Sequence, residues 1–290
     1  MLHLKNIQEE KDFYLILSWI IDSCDLDISK NVSKFGIEET LFSIKNPKYL
    51  RRLKDIENIN QLKDTLEENQ ISYISRTDSN WPEKLKDLKN IEPYGLFIKG
   101  NFDHIVNKSV GIVGTRKSTV EGNMISTEIA FDLAEKGFNI VSGGAIGIDF
   151  AAHHGALIAN GTTIVIQAAG LNKLYPSKNI ETFNKILKTG LLISEYPPNR
   201  NANKINFLHR NRLIAALSIG TLVIEAGQIS GALSTARYAT KLNRSVMAIP
   251  GSILSKTSIG TNELIRSREA ELVVDAGQIV ELISPVGVGL

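Results

Sequence analysis

Two glycine turns and the cations around them carry the first chemistry in this sequence. Gly114-Thr-Arg116 and Ser142-Gly-Gly-Ala-Ile-Gly147 each close a short apolar run and open a helical pattern. Backbone N–H groups at such a turn, backed by a helix N-terminus, form an anion site, and phosphate is the usual biological anion. Gly114, Thr115, Ser118, Gly143, Gly144 and Ala145 are therefore read as donors to phosphate oxygens, and Arg116 as a bidentate fork. Downstream, Phe207-Leu-His-Arg-Asn-Arg212 sets a ring beside the guanidiniums of Arg210 and Arg212. That combination suits a single strand, whose bases stack while its backbone is neutralised. An ordinary core anchor is an equal reading of Phe207.

The charge map sharpens the first reading. Residues 196–262 hold Arg200, Lys204, Arg210, Arg212, Arg237, Lys241, Arg244 and Lys256, with Glu225 as the only acid. A lysine-decorated solvent face intersperses acids, whereas a run this lopsided points to a polyanion. The net charge of +2 hides it, because residues 1–107 carry 15 Lys/Arg against 18 Asp/Glu.

Other chemistries find weaker support. A dinucleotide site needs G-x-G-x-x-G and an acid ending the second strand, but the first turn reads Gly111-x-x-Gly114 and the second strand ends at Ser142. No P-loop sequence occurs. Asp149 and His153, spaced i, i+4 beside His154, have no third ligand nearby, so capping and packing explain them better than a metal. Ser142, Ser194 and Ser230 lack the nucleophile-elbow sequence. Glu195 and Glu225 end strands, where a carboxylate pair could do acid–base work. Pairing with arginines or accepting loop N–H groups is the favoured role. No cofactor is implied.

The elements that position these residues follow from apolar periodicity. Helices are expected at 118–136, 148–159, 179–188, 208–217 and 230–242, and a short one at 277–282. Strands are expected at 110–113, 138–141, 163–167, 191–194, 221–224, 245–249 and 271–274. Strands alternating with helices give an α/β fold, an extended Rossmann-like, doubly wound and mostly parallel sheet with ligands at its carboxyl edge. Strands at 71–76 and 94–98 lead into it, with Trp81 as a core plug. Residues 1–65 read as a small helical domain, with helices at 13–21, 37–44 and 56–66 joined by polar turns at Asp25-Leu-Asp27 and Lys45-Asn-Pro47. The division is thus 1–65 and 66–290, and the tail 285–290 is expected to fray.

A length of 290 residues at 43% hydrophobic supports one large core and a smaller unit. The single cysteine, Cys24, fits a reducing compartment. No uncharged apolar run reaches membrane-spanning length, and residues 1–10 lack a secretory h-region. A soluble, cytoplasmic protein without a membrane partner is expected.

The motifs together resemble the bacterial DNA-processing protein A family, also called DprA or Smf. The likeness runs through Val110-Gly-Ile-Val-Gly-Thr-Arg116, Ser142-Gly-Gly-Ala-Ile-Gly-Ile-Asp149, Tyr175-Pro176, Ser194-Glu-Tyr-Pro197 and Arg210-Asn-Arg212. It continues in Glu225-Ala226, Ser230-Gly-Ala-Leu-Ser-Thr-Ala236, Ile249-Pro-Gly251 and Gly260-Thr-Asn-Glu-Leu264, covering roughly 66–275. The resemblance implies a non-catalytic, homodimeric protein that binds single-stranded DNA and hands it to the recombinase RecA during natural transformation. It also implies that Arg116, Lys204 with Phe207 beside it, and Lys241 lie in the DNA pocket. The sequence departs from many relatives at Leu208, where they carry proline, and at Glu269-Ala270. Residues 1–65 resemble the family's sterile-alpha-motif-like domain in length and helicity only. The competing reading is a Rossmann-fold nucleotide phosphoribohydrolase of the lysine-decarboxylase-like type, whose Pro-Gly-Gly-x-Gly-Thr loop this chain lacks. A third is a protein–protein adaptor with a basic face.

Overall fold

The computed structural model describes residues 7, 9–106 and 108–284. The tail at 285–290 and the first six residues lie outside the described residues. Contacts divide the chain into a smaller unit (1–99, 167–174 and 193–209) and a larger one (100–166, 175–192 and 210–290). That division differs from a boundary at residue 65.

The smaller unit opens with five helices: α1 (Glu10–Ile20), α2 (Leu26–Phe35), α3 (Ile37–Phe42), α4 (Pro47–Lys54) and α5 (Ile59–Glu68). Strand β1 (Ser72–Ser75) then pairs antiparallel with β2 (Gly95–Gly100), Ser72 opposite Ile98. The two expected polar turns are helix starts. The Asp25 carboxylate accepts the N–H groups of Asp27 and Ile28, and Asn46 accepts that of Lys48 ahead of Pro47. The helices do not stand apart from the strands and loops of this unit. Trp19 packs edge-on to Phe97 at 5.9 Å, and the Ser18 and Tyr73 hydroxyls meet at 3.0 Å. Ser23 Oγ lies 2.9 Å from both the Tyr196 hydroxyl and His209 Nδ1, and Arg200 donates to the Trp19 carbonyl at 2.8 Å. These bonds tie 193–209 to α1 and explain the segmented unit. Trp81 is buried, as its core role requires, and donates to Glu92 at 2.8 Å.

The larger unit follows the βα alternation. Its elements are β3 (Ser109–Val113), α6 (Val120–Glu135), β4 (Asn139–Ser142), α7 (Ile148–Ile158), β5 (Thr163–Gln167), α8 (Ile180–Thr189) and β6 (Leu191–Ser194). There follow α9 (Lys204–Leu217), whose residues 204–209 belong to the smaller unit, β7 (Gly220–Val223), α10 (Gly231–Lys241), β8 (Ser245–Ala248), α11 (Ile259–Arg266), β9 (Glu271–Leu272) and α12 (Ala276–Ile283). Strand order is β6-β5-β4-β3-β7-β8-β9, and β5, β4, β3, β7, β8 and β9 run parallel. The chain winds outward from β3 to one side, then returns and winds outward from β7. The fold is therefore doubly wound and Rossmann-like, with its switch point between β3 and β7. Val110, Ile112, Ile140 and Leu222 are fully buried, and Ile129, Leu133 and Ile148 pack on them from α6 and α7. Strands covered on both faces are continuous apolar runs, which is why they were readable. No helix among the described residues is long and apolar enough to cross a membrane.

Candidate nucleic-acid interface

Loops 114–119 and 142–147 leave the carboxyl ends of β3 and β4 and are stitched together at the start of α7. The Ile148 N–H donates to the Thr115 carbonyl at 3.4 Å. Gly147, at φ +86°, lies so close to Thr115 and Arg116 that a Cβ there would strike their backbone. Beneath both loops sits the carboxylate of Asp149, 6% exposed, which accepts the N–H groups of Gly114, Gly143 and Ala145. Burial raises its pKa, against the pull of the Arg210 guanidinium and those three donors. Arg210 itself is 4% exposed, donates to the Ile166 carbonyl and lies directly under Gly143, where any side chain would collide with it. His153 completes this floor. Thr163 Oγ1 gives its proton to the Ile140 carbonyl at 2.8 Å, so the 2.6 Å contact makes His153 Nδ1–H the donor to Thr163. Burial, reinforced by the charge of Arg210, pushes the imidazole down to about 3. Asp149 and His153 are thus structural partners of the loops.

The second helix N-terminus is filled in the same way. Glu225, at the end of β7, accepts from Thr119 N–H at 2.9 Å, Thr119 Oγ1 at 2.8 Å and Thr257 Oγ1 at 2.9 Å. Its carboxylate rests against Gly122, and its carbonyl accepts the Thr115 N–H at 2.8 Å. A carboxylate of the chain therefore stands at the start of α6, beside the switch point where a Rossmann fold receives a ligand's phosphate. Glu225 holds three loops together, the structural role favoured for it.

Most of the loop groups read as phosphate donors have partners inside the chain. The N–H groups of Gly114, Gly143 and Ala145 face Asp149, that of Thr115 is taken by Glu225, and Gly144 offers its carbonyl to Asn179. The Ser118 hydroxyl donates to Asn123 at 2.7 Å. Two carboxylates of the chain, Asp149 and Glu225, accept from these loops. Exposed cations stand on these loops: Arg116 and Lys117 on the first, and Lys256 on the loop that carries Thr257, with Glu121 exposed in the first turn of α6.

A family model for DNA recombination-mediator protein A matches residues 72–284. The chain belongs to that family. A putative DNA processing protein DprA of Mycobacterium tuberculosis is 40% identical over 185 residues, 64% of this chain and 47% of that protein. The chain thus spans about half the length of that relative. The X-ray structure of DNA processing protein A from Streptococcus pneumoniae aligns with a TM-score of 0.78 at 30% identity, covering 95% of this chain and 98% of that one. The Helicobacter pylori DNA processing protein A, whose structure addresses its single-stranded DNA binding mode, aligns at a TM-score of 0.66 and 31% identity, covering 73% and 94%.

The remaining residues expected to bind the strand fall in three places. Lys204 opens α9, four residues before the expected start, because the Asn203 side chain accepts the Asn206 N–H at 2.9 Å as an N-cap. Lys204 is exposed there, with half-buried Phe207 one turn on. Arg210 and Arg212, on the same helix, are interior groups. Arg212 is 0% exposed, so neither guanidinium presents itself to a strand at the surface. Lys241 ends α10 just ahead of β8, which puts it at the amino edge of the parallel sheet, opposite the glycine loops. Lys117 and Lys256 are exposed beside these loops and are not among the residues read from the sequence as phosphate contacts. The signal for Lys117 was its place beside Arg116, and Lys256 stood in the basic run without a role.

Proposed function

We propose that this chain binds single-stranded DNA as a recombination mediator and passes the strand to RecA recombinase, acting as a cytoplasmic homodimer without catalysing a reaction. Arg116, Lys117 and Lys256 neutralise phosphates at the carboxyl edge of the larger unit. On the smaller unit, Lys204 and Phe207 at the start of α9 offer a strand a charge and a ring that stacks or walls it. Asp149, Arg210, Arg212 and Glu225 are the framework beneath, and Lys241 is outside this set.

One observation carries the reading. The only acid in the basic run 196–262 is Glu225, and it is 8% exposed and bound internally, so nothing acidic from that run offsets its exposed cations. A surface of that kind favours a polyanion, and the half-buried ring of Phe207, one turn on from exposed Lys204, favours unpaired bases over a duplex. Membership in the recombination-mediator family and likeness to the Helicobacter pylori protein support the same partner. The nucleotide-hydrolase alternative loses its best carboxylate to the three donors on Glu225.

Fluorescence anisotropy of a labelled mixed-sequence single strand, with a duplex competitor, tests the binding step. Tight binding that duplex displaces poorly is the expected result, and binding equal to duplex is the refuting one. The handover is read as faster RecA ATPase onset on a strand coated with single-strand binding protein, and sedimentation reads the dimer.

A further inference from the structure

We propose that an acid-rimmed apolar groove on the first helices of the smaller unit docks a basic amphipathic helix from a partner protein. Gly36, at φ +86°, ends α2 and opens α3, folding Phe35 back beside Ile37. Phe13 of α1 meets Phe42 of α3 edge to face at 6.3 Å. Together they line an open groove of about 760 Å³, within the usual size range of binding pockets. Ile37 forms a buried floor, whereas Phe35 and Phe42 are 52% and 49% exposed. Two phenylalanine rings half in water at one hollow are an apolar surface awaiting cover.

The rim names the partner. Glu9, Glu10, Glu38 and Glu39 are exposed around the groove; among the described residues the cation set against its rings is Lys34, whose Nζ lies 4.8 Å over Phe35, so four carboxylates face one ammonium. Each pair begins a helix and offsets that helix's dipole. The dipole alone does not require both helix starts to converge on the same aromatic hollow. A nucleic-acid strand is repelled here, so the groove is distinct from the DNA-binding surface. A helix presenting apolar side chains at i, i+3/i+4 and i+7, flanked by lysine or arginine, meets both the floor and the rim. An apolar helix with acidic flanks meets the floor and is rejected by the rim.

The test uses the full chain and two labelled 18-residue helical peptides with identical leucine and phenylalanine anchors. One carries lysine and arginine flanks, and the other carries glutamate at the same positions. Anisotropy is expected to show micromolar binding of the basic peptide, at least tenfold tighter than its acidic twin. Phe35→Ala with Phe42→Ala should cost tenfold or more, and Glu38→Lys with Glu39→Lys should reverse the preference. Single-stranded DNA affinity should stay unchanged in every variant, which separates this proposal from the DNA reading. Equal binding of the two peptides, or phenylalanine variants that bind like the parent, overturns it. Self-association abolished by Phe42→Lys would assign the groove to a second copy instead. Tenfold tighter peptide binding by a chain starting at Ile7 would assign it to residues 1–6.

Discussion

The buried histidine under the glycine loops should make the larger unit acid-sensitive well above the carboxylate range. His153 is 1% exposed and its imidazole titrates at about 3, against 6.5 for an unfolded histidine. The unfolded chain therefore takes up a proton as pH falls through 6.5, and the native state does not until about 3. A depressed histidine pKa means that the native state binds fewer protons, so stability is lost as pH drops across that window. At pH 5, about 1.5 units below the unfolded value and about 1.36 kcal/mol per unit, the loss is about 2 kcal/mol. Urea unfolding at pH 7.5, 6.5, 5.5 and 5.0 would read it, followed by circular dichroism because Trp19 and Trp81 both lie in the smaller unit. His153→Asn keeps an N–H near the position of Nδ1 and removes the titration. The parent should lose about 2 kcal/mol more than the variant between pH 7.5 and 5. Parallel pH profiles for the two chains would refute the reasoning.

Three further outcomes are expected from the same floor and rim. Asp149→Ala strands three N–H groups and removes the carboxylate charge beside Arg210, a loss of about 3–5 kcal/mol. Calorimetry should show the larger unit melting about 10 °C lower, at roughly 2–4 °C per kcal/mol, and a shift under 2 °C would contradict the pinning role. Gly143→Ala drives a methyl into a guanidinium that is itself held by Ile166, so about 1–3 kcal/mol should be lost in urea melts. Lys117→Ala should lower the salt dependence of single-strand binding by about 0.7 in log–log slope, whereas Lys241→Ala, at the other edge, should leave that slope in place. The reverse pattern would place the strand at the amino edge.

Much of the fold was legible because its strands are buried on both faces and its turns are marked by glycine. Thr163–Gln167 and Leu191–Ser194 fall where the apolar runs place them. Helices α2 and α4 were hidden because they are polar, and Asp25 and Asn46-Pro47 signal a helix start as readily as a turn. Helix α11 was hidden inside what reads as a glycine- and serine-rich loop ending near Gly260. The site was legible in its ingredients and not in its orientation. A glycine loop at a helix N-terminus looks the same in sequence whether a ligand's phosphate or the chain's own carboxylate fills it. The spacing of Asp149 behind the second loop, and the single acid Glu225 in a basic run, were the available hints. The pattern Arg210-Asn-Arg212 likewise gives no depth. The unbroken apolar run at 213–217 just after it is the one sign that this part of α9 is interior.

The account's central claim is that exposed cations at the carboxyl edge, not backbone amides, hold the strand. The direct test is the salt dependence of single-strand affinity for the parent and for Arg116→Ala with Lys117→Ala. Three phosphate contacts, at Arg116, Lys117 and Lys256 of the larger unit, give a log–log slope of about −2.1, or about 18-fold between 50 and 200 mM salt. The one contact left in the double variant gives about −0.7, or about 2.6-fold. The account predicts that change in slope with an unaltered melting curve. An unchanged slope in the folded double variant, or no binding by the parent at low salt, would contradict it.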